Sequence, residues 1–393
     1  MLLAVLVLWT AGVTGCSPSS PEGSSWVEPP DPGPLAAVRI VRRYENGFIE
    51  EISEGFSSTW DPDISFDARR VLFAGKRDPG SPEGIHERDL DSGRVKTHFE
   101  APGRISCPRY GPGNSLIFLW NRHPSPGSEA GGILYNLLPD TPPDRITFSV
   151  GLTFDPVVLP DGLIVFGIEN QPGLWSVNWD GTEVASYTEF HSADGSPGGL
   201  SLRPLISDPS REILFARGIP GNELFEIDLR SHHYGITRSS SAIPPDGRRK
   251  LEPHAKVFYQ PSLVKPGVTE SELFCVDSRL TDLPPSQPAD TARTVRVRID
   301  PAESNGDVPQ EPGSTFDSNV QPDGSFYLTV PPDRGLSFDL IGSSGNVLRS
   351  MTSRMWLRPG EKRGCIGCHE RRAQAPPNRV IMALEIPPER WNP

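Results

Sequence analysis

Cysteine is scarce, with five among 393 residues, too few for the disulfide framework of a small secreted scaffold. Excess positive charge is missing too. Lys and Arg total 38 against 50 Asp and Glu, for a net charge of -12. A nucleic-acid binder needs a basic face, so that class is excluded. No apolar run reaches the roughly 20 residues of a membrane-spanning helix. Long stretches of helical apolar periodicity are absent between residues 40 and 300, which excludes helical bundles and coiled coils. What the chain has in quantity is Pro (44) and Gly (38). Together they make about a fifth of the residues, short of the roughly 25–30% of low-complexity chains. With 36% hydrophobic and 22% charged residues, the composition fits a folded, turn-rich, all-β protein of two or three domains.

Residues 1–13 (MLLAVLVLWTAGV) are apolar. The run is too short to span a bilayer and matches the apolar region of a secretory signal. Val13, Thr14 and Gly15 precede Cys16. This resembles the bacterial lipobox, in which the cysteine sulfur is lipidated and the signal is cut just before it. No Lys or Arg precedes the apolar run, a departure from that pattern. The resemblance implies a membrane anchor at Cys16 and a periplasm-facing place in the bacterial cell envelope. Ser17, a non-acidic residue after the cysteine, points to the outer membrane. Residues 17–34 (SPSSPEGSSWVEPPDPGP) are dominated by Ser and Pro and read as a semi-extended tether.

Four segments then share one pattern: a proline followed 10 or 11 residues later by a Phe that closes an apolar strand. They are 62–73 (PDISFDARRVLF), 108–118 (PRYGPGNSLIF), 156–166 (PVVLPDGLIVF) and 204–215 (PLISDPSREILF). Each holds two short strands around a polar turn. Phe73, Phe118, Phe166 and Phe215 are spaced by 45, 48 and 49 residues. A period near 45 with several strands per unit is the signature of a β-propeller. The repeats resemble the PD40 units of TolB-like propellers, most plainly at Leu159-Pro160-Asp161-Gly162. Residues 257–259 (VFY) and 273–277 (LFCVD) suggest a degenerate fifth unit. Beyond them, 294–299 (TVRVRI), 324–330 (GSFYLTV), 336–341 (LSFDLI) and 346–350 (NVLRS) alternate with turns, as in a small antiparallel sandwich. The expected division is a lipoprotein signal over 1–15, a lipid-anchored tether over 16–37, a TolB-like propeller over 38–280 and a β-sandwich-like domain over 281–393.

The chemistry sits near the C-terminus. Residues 364–370 read GCIGCHE, and Cys365, Cys368 and His369 form C-x-x-C-H, the attachment motif of c-type haem. Thiols three positions apart on one turn of chain can each form a thioether with a haem vinyl group, and the next imidazole then reaches the iron. One covalent haem c is therefore expected on Cys365 and Cys368, with His369 as axial ligand. Gly364 and Gly367 are expected to let the porphyrin edge approach the backbone. Met351, Met355, Met382 and His254 are candidates for the sixth iron position, and an open position fits equally well. A structural zinc site needs four ligands. Cys365, Cys368 and His369 supply three, and Cys275 or a further His could add the fourth. A thioredoxin-like pair needs a βαβ setting that is missing. Cys107 and Cys275 read either as a disulfide or as two buried thiols. His86, His232 and His233 fall near predicted turns and read as surface residues.

Residues 322–377 resemble the haem-bearing region of the hydrazine synthase alpha subunit family. The matching features are the PDGSF turn from Pro322, the VPPD turn from Val330, the lead-in Leu357-Arg358-Pro359-Gly360-Glu361 and the CIGCHE motif. The resemblance implies a TolB-like propeller, a β-rich middle domain and a haem at C-x-x-C-H. The synthase subunit itself carries two haems and makes hydrazine together with other subunits. This chain has one C-x-x-C-H, so the resemblance implies a monohaem relative and not hydrazine synthesis. Three function classes remain. One is a lipid-anchored cytochrome exchanging electrons with a redox partner protein held by the propeller. Another is a haem enzyme turning over a small nitrogen or oxygen species at an open iron site. The third is a non-redox propeller scaffold with zinc at the terminal motif.

Overall fold

The computed structural model describes residues 3–8, 39–44, 48–124, 131–149, 151–169, 171–188, 201–208, 213–219, 223–229, 236–238, 249–251, 256–280, 292–301, 313–351, 353–367 and 378–391. They are strand, turn and extended chain, with two short 3-10 turns at Pro112–Asn114 and Met382–Glu385. The fold is all-β, with four-stranded propeller blades and a second β-rich body. Two compact units divide the chain. The first takes 1–145, 152–169 and 200–260, and the second takes 146–151, 170–199 and 261–393.

In the first unit, Ser58–Ile64, Arg70–Lys76, Glu83–Asp89 and Val95–Ala101 form one antiparallel blade. Arg104–Tyr110, Leu116–Asn121, Ile133–Leu137 and Asp144–Arg145 form the next. The hairpin Thr153–Val158 with Ile164–Ile168 repeats the opening of a blade. Ser201–Asp208, Ile213–Ile219, Leu224–Asp228 and Ile236–Arg238 make another. Each Pro-to-Phe segment of the sequence is thus the first hairpin of a blade. The proline marks a β-bulge. Register slips between Trp60 and Asp63, between Ser106 and Arg109, and between Phe154 and Val157. The residue before each of these prolines takes a left-handed backbone: Asp61 (φ 51°), Cys107 (φ 50°) and Asp155 (φ 48°). Proline cannot donate to a ladder, and a bulge is where a strand tolerates it.

Blades bury their faces against one another. Leu72 and Ile85 of one blade share an apolar cluster with Ile105, Leu116, Phe118 and Tyr135 of the next. Hydrogen bonds cross the same seam. Trp60 Nε1 donates to Ile105 O (2.9 Å), and Ile105 N donates to Glu83 Oε2 (2.8 Å). Cys107 N donates to Asp61 Oδ2 (2.8 Å), and Tyr110 N donates to Asp63 Oδ2 (2.9 Å). Leu3–Leu8, within the run read as an export signal, pairs with Arg39–Arg43 and Arg249–Leu251. A run of Leu and Val suits an extended strand as well as a signal, because branched apolar side chains favour both.

The second unit holds two further sheets. Ala292–Ile299 lies between Ser314–Asn319 and Leu336–Gly342, and Val347–Ser350 pairs with the latter. Ser271–Cys275 runs antiparallel to Phe326–Val330 and parallel to Lys362–Cys365. Phe326–Val330 also pairs in parallel with Glu389–Arg390. Trp356 is wholly buried, and its Nε1 donates to Gly181 O (3.0 Å). Residues 257–259 are not strand, contrary to the fifth-unit reading, and Phe258 and Tyr259 are exposed. The other half of that reading, around Cys275, is a strand of the second unit.

Candidate functional site: the loop bearing C-x-x-C-H

The family-like turns build the approach to the motif. In the LRPGE lead-in, Glu361 N donates to Arg358 O (2.9 Å) and Arg358 N donates to Glu361 Oε2 (2.8 Å). Glu361 Oε1 accepts the Glu183 N–H (3.0 Å). Burial pushes the Glu361 carboxyl up from its ordinary value, against these two backbone donors. The VPPD turn joins the lead-in, because Asp333 N donates to Leu357 O (2.8 Å) and Arg358 Nη1 pairs with Asp333 Oδ1 (3.1 Å). The chain then enters Lys362–Cys365, in register with Ser271–Cys275 so that Glu272 faces Lys362 and Cys275 faces Cys365. The ladder runs on past the strand, with Val276 N donating to Cys365 O (2.8 Å) and Asp277 N to Ile366 O (3.0 Å).

Cys368 and His369 lie outside the described residues, as do Cys16, His232, His233 and His254. The chain is described on both sides of residues 368–377, and both flanks are pinned to one turn. At the near end, Ile366 and Gly367 rest on Asp277 and Leu280. At the far end, Arg379 Nη2 reaches Val276 O (3.1 Å), Asp323 O (2.9 Å) and Asp277 Oδ2 (3.0 Å). Burial acts to raise the Asp277 carboxyl, but Arg279 and Arg379 outweigh it and hold the group below the usual carboxylate range. The PDGSF turn completes the clamp. A Cβ at Gly324 (φ 88°) would stand 2.1 Å from Asp277 Oδ1, so only glycine fits there. Asp323 Oδ2 accepts the Met382 N–H (2.9 Å), Asp323 Oδ1 accepts the Ser325 hydroxyl (2.6 Å), and Ala383 N donates to Ser325 Oγ (3.0 Å). These contacts lay a C-terminal strap beside the motif loop. On it Val380, Met382, Leu384 and Ile386 are all exposed, an alternating apolar row of a kind that proteins normally cover.

The fit of a covalent haem rests on three observations. Cys365 is half-buried and ends its strand, where a reagent can reach the sulfur. Arg363 Nη1 is buried with no hydrogen-bond partner among the described residues. It stands two positions before Cys365, on the same strand face, and an unsatisfied guanidinium nitrogen suits an anionic group such as a haem propionate. The third is the exposed apolar group Val380, Met382, Leu384 and Ile386. A Cβ on Gly364 would meet the Phe274 ring (2.4 Å), and one on Gly367 would meet Leu280 O (2.4 Å). Those glycines serve close packing of the chain on itself.

Other sequence expectations resolve as follows. Met355 is buried and its backbone bridges Leu336. Met382 is exposed on the strap. His86 is 1% exposed. It lies within Glu83–Asp89 against Phe56 and Phe73, not in a surface turn. Cys107 and Cys275 are separate buried thiols, and the Cys107 Sγ donates to Asp155 Oδ1 (3.9 Å). Of the residues weighed as a fourth zinc ligand, Cys275 lies on the strand beside Cys365. Among the described residues, no three His, Cys, Asp or Glu side chains cluster as a metal site. Sequence reasoning missed Arg363, Asp277 and Arg379, and nothing in their spacing signals their roles.

Residues 309–370 match the hydrazine synthase alpha subunit middle domain, a stretch that ends one residue after His369. Over that stretch the chain is related to the hydrazine synthase alpha subunit. Kuenenia stuttgartiensis hydrazine synthase superposes over 98% of this chain and 71% of its own, with a TM-score of 0.69 and 14% identity. At that identity the likeness is one of fold. TolB from Acinetobacter baumannii overlaps 48% of each chain (TM-score 0.32, 18% identity). Oligogalacturonate lyase from Vibrio parahaemolyticus overlaps 53% of this chain and 63% of its own (TM-score 0.37, 12% identity). At scores this low neither bears on function. No curated protein sequence matches the chain.

Proposed function

We propose that this hydrazine synthase alpha-related chain is an exported, lipid-anchored, monohaem c-type cytochrome that exchanges electrons with a partner protein held by its propeller. The observation that carries this reading is the C-x-x-C-H segment, whose described flanks are both held on the turn that starts at Val276, with the unsatisfied Arg363 Nη1 on the strand that leads to its first thiol. Cys365 and Cys368 would hold the haem by thioethers, and His369 would ligate its iron. When bound, the haem supplies one-electron chemistry. The chain's own residues would do the rest: Arg363 would offset negative charge near Cys365, and the exposed Val380, Met382, Leu384 and Ile386 would offer apolar surface. Cys16 would carry the lipid that holds the protein at the envelope, facing the periplasm.

The test is expression of the full chain in a diderm bacterium with a cytochrome c maturation system. A denaturing-gel haem stain is expected for the native chain and is expected to vanish in Cys368→Ala. A low-spin spectrum supports an electron carrier. A high-spin haem that binds nitric oxide or carbon monoxide moves the assignment to an enzyme acting on a small nitrogen or oxygen species. The neighbouring Cys275 thiol favours zinc as the second reading, so a folded, exported protein with bound zinc and no haem would overturn both redox readings. Intact mass gives the anchor: a mature chain beginning at acylated Cys16 is expected, and a chain that keeps Met1 would remove it.

A further inference from the structure

Cys275 and Cys365 are 90 positions apart in the chain and side by side in the fold. They are the last register partners of the parallel pair Ser271–Cys275 and Lys362–Cys365. Neighbouring strands lie about 4.7–4.9 Å apart, inside the roughly 4.4–6.8 Å Cα window of a disulfide. Register partners also present their side chains to one face. That face is the inner one on Ser271–Cys275, where Ser271, Leu273 and Cys275 are buried while Glu272 and Phe274 are less so. Both sulfurs are thiols, Cys275 at 1% exposure and Cys365 half-buried.

We infer that in the haem-free chain these two thiols form a cross-strand disulfide, which occupies Cys365 and makes its haem attachment conditional on reduction. The bond stands on the register alone; only its consequence for attachment rests on the haem reading. The order of events follows from access. An exogenous disulfide, such as oxidised glutathione, is attacked by the thiolate of Cys365, the more accessible of the two, giving a mixed disulfide and one released thiolate. The buried Cys275 thiolate then attacks the Cys365 sulfur, closes the protein disulfide and expels the second exogenous thiolate. Two protein thiols are oxidised, one exogenous disulfide is reduced, and the two thiol protons pass to solvent. Cys107 does not compete, because it is wholly buried in the first unit with its Sγ turned to Asp155. The competitor is Cys368.

The experiment uses the full chain produced in the periplasm without haem maturation. It is equilibrated in glutathione buffers of graded poise, alkylated and digested for mass spectrometry. Expected are linked peptides joining Cys275 to Cys365, with Cys368 alkylated. A Cys365–Cys368 link, or alkylation of both Cys275 and Cys365 at every poise, overturns the proposal. A second measurement compares haem stain per protein in a maturation host for the native chain and Cys275→Ala. A severalfold gain in the variant under oxidising growth, abolished by added dithiothreitol, supports the gate. Equal staining in both conditions overturns it. If the linked peptides form but neither chain ever stains, the bond holds, and the gate falls together with the haem reading.

Discussion

In the first unit one device recurs from blade to blade. A left-handed residue before a proline bulges the opening strand at Asp61, Cys107 and Asp155, and a Phe closes the hairpin at Phe73, Phe118 and Phe166, each wholly buried. Among the described residues of the second unit no device repeats. The LRPGE, VPPD and PDGSF turns each have their own bonds, and they converge on one strand and one loop. Repetition spreads stability over equivalent positions, as expected when each unit packs only on its neighbours. Convergence concentrates it where chemistry needs a fixed chain. The contrast can be broken at three levels.

The largest effect is in the apolar repeats. Phe73→Ala and Phe118→Ala should each cost about 3–5 kcal/mol. Because the two rings hold equivalent, wholly buried positions, the two values should differ by less than the roughly 2 kcal/mol span of that range. Urea unfolding of the two variants measures both. A large inequality would mean that the blades are alike in sequence and not in packing.

The next effect separates the units by pH. Burial lowers the His86 imidazole from 6.5 to about 4, with Arg77 and His98 nearby adding to the shift. A lowered folded value favours the neutral ring in the native state. That stability is complete above about 6.5 and is lost as pH falls toward 4, because the unfolded chain takes up the proton first. The clamp in the second unit behaves differently. For Asp323, burial works upward, but the Ser325 hydroxyl and the Met382 and Ser325 N–H groups prevail and hold the carboxyl below its ordinary value; Asp277 shifts the same way. Their stability persists above the ordinary carboxylate value and is lost only as pH falls below it. Glu83 and Glu361 shift upward through burial, so each adds a smaller, opposite slope, one in each unit. The first unit should therefore loosen earlier on acidification. Urea unfolding from pH 7 to 4, read by pulsed hydrogen exchange on peptides of each unit, should show this difference. His86→Gln should flatten the slope of the first unit, and parallel slopes in variant and parent would sink the assignment to His86.

The same contrast explains what could be read from sequence. The Pro-to-Phe period was legible because every blade repeats its bulge and its buried Phe, so each copy reinforces the others. The strands of the second unit were legible from alternation, as in 294–299, seen as Ala292–Ile299. The motif and its lead-in were legible because short turns keep their residues adjacent in sequence. What stayed hidden depends on register. Nothing local to Cys275 says that a parallel strand will bring Cys365 beside it. Nothing near Arg379 says that its guanidinium returns to the turn on which the loop began. The buried His86 was missed for a related reason: its strand carries Glu83, Glu87 and Arg88, and that polarity imitates a turn.

The smallest effect is the sharpest test of the contrast, because it compares like with like. Asp61 and Asp323 are both carboxylates that accept backbone N–H groups across a gap in sequence. Asp61 has one such bond, to Cys107 N, in a seam that also holds Trp60 to Ile105 and Asp63 to Tyr110. Asp323 accepts Met382 N and both the N–H and the hydroxyl of Ser325, and its own backbone carbonyl takes Arg379. Asp61→Ala should cost about 1 kcal/mol, the usual net value of one hydrogen bond, and Asp323→Ala about 2–3 kcal/mol, because several donors lose a charged acceptor at once. The location of the damage matters more than its size. With Asp61→Ala, faster amide exchange should stay near 104–110 and leave the strap unchanged. With Asp323→Ala, exchange should rise at 379–386, and susceptibility to proteolysis should rise on both sides of the motif loop, since one turn anchors both of its ends. A response confined to 323–326 would mean that the strap is held by its other contacts and that the convergence on Asp323 is only apparent.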